Sequence, residues 1–96
     1  MIICSIRHRG LQRLIEDNNP RFLPGHLVDR VRKVMTAMIL AEDLGSFIAD
    51  APHGWRVHRL SGRRRNEWSI RVSGSWRITF VEAAGYLERL NLEDYH

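Results

Sequence analysis

His58, Arg77 and His96 are the side chains of this chain whose chemistry reaches furthest. An imidazole changes charge near neutral pH and can take or give a proton, while a guanidinium is a fixed cation suited to a phosphoryl oxygen on which charge is building. Those are the parts needed to break a phosphodiester whose own 2′-hydroxyl supplies the nucleophile: a proton acceptor, a proton donor at the leaving oxygen, and positive charge on the phosphate. Other chemistries find less support. His8, His26, His53, His58 and His96 lack metal-ligand spacing, Cys4 is the only thiol, and the seven glycines are too scattered to make a phosphate-cradling loop, so neither a metal nor a cofactor is expected.

These side chains need a scaffold, and the stretch Trp68 to Phe80 supplies its centre. Trp68, Ile70, Val72, Trp76, Ile78 and Phe80 alternate with Ser69, Arg71, Ser73, Arg77 and Thr79, interrupted only at Ser73-Gly74-Ser75. That period of two predicts a β-hairpin with one apolar face and one basic face. Flanking strands are expected at Met1 to Ile6, Trp55 to Leu60 and Tyr86 to Leu92, the last with Leu90 and Leu92 on one face and Arg89 and Asn91 on the other. Helices are predicted over Arg9 to Asp17, ended by Asn18-Asn19-Pro20, and over about His26 to Glu42, where Leu27, Val28, Val31, Val34, Met35, Met38 and Ile39 form one stripe. A helical turn is expected at Ser46 to Asp50. The fold class is therefore α+β: a small, twisted, mostly antiparallel sheet with two N-terminal helices packed on its apolar face, in a single domain spanning residues 1–96. The opposite face would carry Arg56, His58, Ser69, Arg71, Arg77, Thr79, Arg89 and Asn91.

Charge separates along the chain in the same sense. Residues 1 to 50 hold seven basic and six acidic side chains, whereas Trp55 to Phe80 holds seven arginines against Glu67 alone, a net of +6. Arg56, Arg59, Arg63, Arg64, Arg65 and Arg71 are candidate RNA contacts on that segment, because guanidinium forks suit phosphates and stacking on bases. The plainer readings are a solvated loop for Arg63 to Arg65, an ordinary strand-face histidine for His58, a frayed tail for Tyr95 and His96, and an acid partner such as Glu88 for Arg77. Asp94 either solvates the chain end or orients an imidazole. Cys4, in an apolar strand, is expected to be buried and inert. No segment has the length to span a bilayer and the N-terminus lacks signal-peptide character, so a cytoplasmic protein with no membrane partner is expected.

Trp68-Ser69-Ile70, Trp76-Arg77-Ile78-Thr79-Phe80 and the terminal Glu93-Asp94-Tyr95-His96 resemble the HigB toxins of the RelE superfamily. So do Val57-His58-Arg59-Leu60-Ser61-Gly62 and Ser5-Ile6-Arg7-His8-Arg9-Gly10-Leu11. The resemblance implies a RelE-like fold and a ribosome-dependent mRNA endoribonuclease, the toxin of a type II toxin-antitoxin system, inhibiting translation and neutralised by a HigA-like helix-turn-helix antitoxin. It places catalytic roles on His58, Arg77, Asp94, Tyr95 and His96. Two positions depart from the pattern: Ser61 stands where relatives often carry a phosphate-touching lysine, and Ser73 where a basic residue often precedes the hairpin turn. The alternative to an enzyme is a non-catalytic module that binds RNA or the antitoxin, a toxin that has lost its activity.

Overall fold

The computed structural model describes residues 1–95. The strands are β1 (Ile2–Ile3), β2 (His58–Arg59), β3 (Trp68–Ser73), β4 (Trp76–Ala83) and β5 (Tyr86–Asp94), and the helices are α1 (Arg9–Asp17), α2 (Val28–Leu40) and α3 (Leu44–Asp50). The sheet order is β1-β5-β4-β3-β2, antiparallel throughout except for β1, which runs parallel to β5. No described helix is long and apolar enough to cross a membrane.

The alternating hairpin forms as its pattern requires, with Ile70 paired to Ile78 and Trp68 to Phe80. Ile70, Val72, Ile78, Phe80, Leu87, Leu90 and Leu92 of the sheet are buried in one cluster with Leu11, Leu14, Leu27, Val31, Val34, Met35 and Met38 from the helical side. Phe80 is completely buried at the middle of β4. Phe80→Ala should therefore cost about 3–5 kcal/mol, lowering Tm by more than about 10 °C for a domain of this size. A thermal melt within a few degrees of wild type would contradict this placement.

The helices end where local chemistry demands. His8 caps α1, its Nδ1 accepting from the Leu11 N–H at 3.2 Å, and burial holds the His8 pKa below its ordinary value, which favours the neutral ring that an accepting Nδ1 requires. Asn18 closes α1 in the left-handed conformation at φ 53°. Gly10 is obligatory, since a Cβ there would lie 2.5 Å from the Phe22 carbonyl oxygen. The turn expected at Ser46 to Asp50 is a full helix, α3, started by Asp43, whose carboxylate accepts from the Ser46 N–H at 2.8 Å.

Three expectations are corrected, and β5 departs from strict alternation. Only His58–Arg59 of the stretch Trp55 to Leu60 pairs as strand, because Trp55 closes a short 3-10 turn, His53–Trp55, and Arg56 follows at φ 47°. Arg56 therefore does not sit on the sheet face. Leu87 is buried although strict alternation would place it with Arg89: Arg89, at φ 55°, is the extra residue of a β-bulge, and the register slips between Thr79–Asn91 and Val81–Glu88. Ile39 of the α2 stripe is exposed. Cys4 is exposed as well, lying on the edge strand's flank rather than in the core.

Candidate active site

On the side of the sheet away from the helices, register assembles the site in rows. His58 pairs with Ser69, Ser69 with Thr79 and Thr79 with Asn91, while the neighbouring row runs Arg71, Arg77, Glu93. Neighbouring strands lie about 4.8 Å apart, so the His58 and Thr79 backbones are separated by about 10 Å, a span that suits one nucleotide linkage. His58, Leu60, Ser69, Arg77, Thr79 and Tyr95 line one pocket of about 100 Å³. Ser69 and Thr79 are 2% and 3% exposed, so these two small residues form a buried floor between the larger side chains of this face.

The imidazole of His58 is oriented by main chain. Its Nδ1 lies 2.6 Å from the Arg56 carbonyl oxygen. A carbonyl can only accept, so Nδ1 carries the proton and donates, leaving Nε2 for chemistry. The carbonyl is presented by Arg56 in its left-handed conformation, a backbone arrangement that a non-glycine residue holds only when its surroundings require it. Arg56 thus meets the site through its backbone, while its exposed side chain lies outside the strand.

Arg77 Nη1 donates to the Gly74 carbonyl at 2.9 Å and to the Trp76 carbonyl at 3.3 Å. Among the described residues it has no ion pair, with Glu88 or any other acid. Arg71, directly opposite, also reaches the Gly74 carbonyl through Nε at 3.4 Å. Two guanidinium groups are thus gathered at the β3–β4 turn.

The chain end is docked on that same turn. Asp94 pairs with Trp76, the Tyr95 N–H donates to the Ser75 carbonyl at 2.8 Å, and the Ser75 hydroxyl donates to the Asp94 carboxylate. Tyr95 lines the pocket and is 54% exposed as a residue, leaving surface on which a base can stack. His96 lies outside the described residues.

The basic loop divides into different environments. Arg63 and Arg65 are exposed. Arg59 is exposed too, its Nε donating to the Arg65 carbonyl at 2.6 Å. Arg64 is turned inward onto two carboxylates, with Nε and Nη2 to Glu67 at 2.8 and 2.9 Å, and Nη1 and Nη2 to Glu93 at 3.1 and 2.5 Å. The Thr79 hydroxyl also donates to Glu93, at 2.6 Å. Hydrogen bonds from Arg64 hold both carboxyls below their ordinary pKa, and the two acids raise that of Arg64 further. A depressed folded-state value means that this stabilisation is complete above the unfolded pKa and is lost as pH falls through the folded one. Wild-type Tm should therefore fall more steeply than that of Glu93→Gln from about pH 5 downward; superimposable acid limbs would contradict the pairing.

Leu60, Ser75, Glu67 and Glu93 are parts of this site that residue chemistry alone did not single out. Leu60 is an apolar wall, and the other three act through partners that only the register brings near. A roomier groove of about 240 Å³ between α2 and α3, lined by residues such as Leu40, Phe47 and Trp55, holds no histidine or arginine.

The comparisons agree with this architecture. A family model described as the RelE-like toxin of the type II toxin-antitoxin system HigB matches residues 4–96. Endoribonuclease HigB of Proteus vulgaris is 36% identical over 95 residues, covering 99% of this chain and 100% of that protein. Crystal structures of YafQ from E. coli strain BL21(DE3) and of a histidine-to-glutamine mutant of E. coli YafQ superpose with TM-scores of 0.59 and 0.57 at 15% identity. Each alignment covers 95% of this chain and 91% of theirs, a likeness of fold. A sheet carrying its histidine, arginine and docked tail on the polar face, matched nearly end to end by that model and that relative, makes this chain a member of the HigB-like family of RelE-like type II toxins, proteins that are paired with an antitoxin.

Proposed function

We propose that the chain is an endoribonuclease that cuts mRNA on the ribosome, using the RNA's own 2′-hydroxyl as nucleophile. The observation that carries this reading is the convergence of His58, Arg77 and Tyr95 on one pocket. The 2′-oxygen attacks the adjacent phosphorus as a base takes its proton, and the bond from phosphorus to the 5′-oxygen breaks as an acid protonates that oxygen. The products are a 2′,3′-cyclic phosphate and a 5′-hydroxyl end. Arg77 binds the charge that grows on the phosphoryl oxygens. His58, its Nε2 left available, is one proton carrier, and His96 is assigned the other by resemblance to the family. Tyr95 stacks on a base and Asp94 holds the tail. Arg56, from outside the sheet face, and Arg59, Arg63, Arg65 and Arg71 supply phosphate contacts along the RNA, with Arg59, Arg63 or Arg71 standing in for the lysine that Ser61 replaces. The ribosome presents the RNA in a geometry so small a surface cannot impose alone. The antitoxin is a HigA-like helix-turn-helix protein, and the toxin works in the cytoplasm.

The test is primer extension on one mRNA, naked and undergoing translation. New ends only on the translated message are the expected result. Intact translated mRNA at a toxin dose that stops growth would overturn the reading in favour of a non-catalytic binding module.

A further inference from the structure

Arg77 and Glu93 are direct partners across β4 and β5, where side chains stand about 5 Å apart. Opposite charges at that register would ordinarily close on each other. Here they do not: Arg77 turns to the Gly74 and Trp76 carbonyls, and Glu93 is taken by Arg64 and Thr79. Arg64 is in turn fixed by Glu67, so two carboxylates share its three nitrogens.

We propose that Arg64 is a positioning residue of the active site: by holding the Glu93 carboxylate it keeps Arg77 unneutralised for a phosphate, and it anchors the end of β5 that carries Asp94 and Tyr95. The inference rests on the reading of Arg77 as the phosphate-binding group. Its physical basis is competition within the molecule. A carboxylate released beside Arg77 is always present, whereas the RNA phosphate must arrive and displace it, so the enzyme would face a permanent internal rival. Arg64 removes the rival by offering a better-formed, doubly bidentate partner. The same saturation argues against Arg64 as an RNA clamp, because a phosphate would have to expel two acids to reach it. Glu93 keeps a structural use, tying β5 to Thr79 on β4 and to the loop that carries Arg64.

The experiment is a double-mutant cycle in translating extract with wild type, Arg64→Ala, Glu93→Gln and the double variant, each checked by thermal melt. Arg64→Ala should slow mRNA cleavage by about ten- to a hundredfold. Glu93→Gln removes the rival charge, so the double variant should return to within about threefold of Glu93→Gln alone. An equal loss in both backgrounds would overturn the proposal in favour of a direct grip on RNA, and a cleavage loss that simply follows the fall in Tm across the four proteins would overturn it in favour of fold support, because the Arg64–Glu93 pair also stabilises the fold. No loss on Arg64→Ala would overturn it too. Affinity of the four proteins for a short RNA, read by fluorescence anisotropy, should show the same loss and rescue without turnover. An inactive wild type would therefore count against the ribonuclease reading while binding still decides the role of Arg64.

Discussion

Arg77→Ala is expected to stay folded and to lose mRNA cleavage by about a hundred- to a thousandfold, the usual cost of removing one preorganised donor from a developing oxyanion. Arg77 lies on the polar side of β4 between buried Ile78 and half-buried Trp76, so the substitution leaves the apolar cluster intact. Its described hydrogen bonds go to carbonyls of the adjacent turn, which hold the guanidinium in place without cancelling its charge. Melting temperature should change by only a few degrees, and growth arrest by the expressed protein should disappear. Arg77→Lys should recover little, because an ammonium keeps the charge and loses the planar fork. Full cleavage by Arg77→Ala would remove the arginine from the mechanism.

His58→Ala should cost about a hundred- to ten-thousandfold in cleavage rate, the range expected for one positioned proton carrier. The Arg56 carbonyl holds Nδ1–H, which fixes the ring's tautomer and leaves Nε2 for the substrate. His58 is on a two-residue strand at the sheet edge and is exposed, so its loss should barely move Tm. RNA binding should persist, because the arginines remain. Cleavage and binding falling together in His58→Ala would point to a contact residue in place of a proton carrier.

The apolar side of the fold was legible because its signals are local. Trp68 to Phe80 alternates without ambiguity, and Val31, Val34, Met35 and Met38 recur at helical spacing, so each element could be oriented from its own residues. The polar side depends on register, which no single strand contains. That Glu93 stands beside Arg77, and that Arg64 reaches back to take it, follows only once β5 is aligned on β4 and the loop after β2 is folded. The bulge at Arg89 hides in the same way: a positive φ at an ordinary arginine leaves no mark in composition, yet it turns Leu87 inward. Trp55 reads as an inward strand residue because Trp55 and Val57 alternate with Arg56 and His58, but the turn that buries it is 3-10, with Arg56 left-handed behind it. Of the candidate site, His58, Arg77 and Tyr95 were nameable from residue chemistry and family resemblance together, whereas their convergence on one pocket needed coordinates.

The 2′-hydroxyl is the nucleophile of the proposed reaction, and a single-atom change in the RNA removes it. A message carrying 2′-deoxyribose at the mapped scissile nucleotide, translated alongside its all-ribose counterpart, should remain uncut at that position. The all-ribose message should end there in a 2′,3′-cyclic phosphate with a 5′-hydroxyl on the downstream fragment. Cleavage of the deoxy-substituted linkage at the ordinary rate would mean that water or a protein group attacks the phosphorus, and would contradict the account.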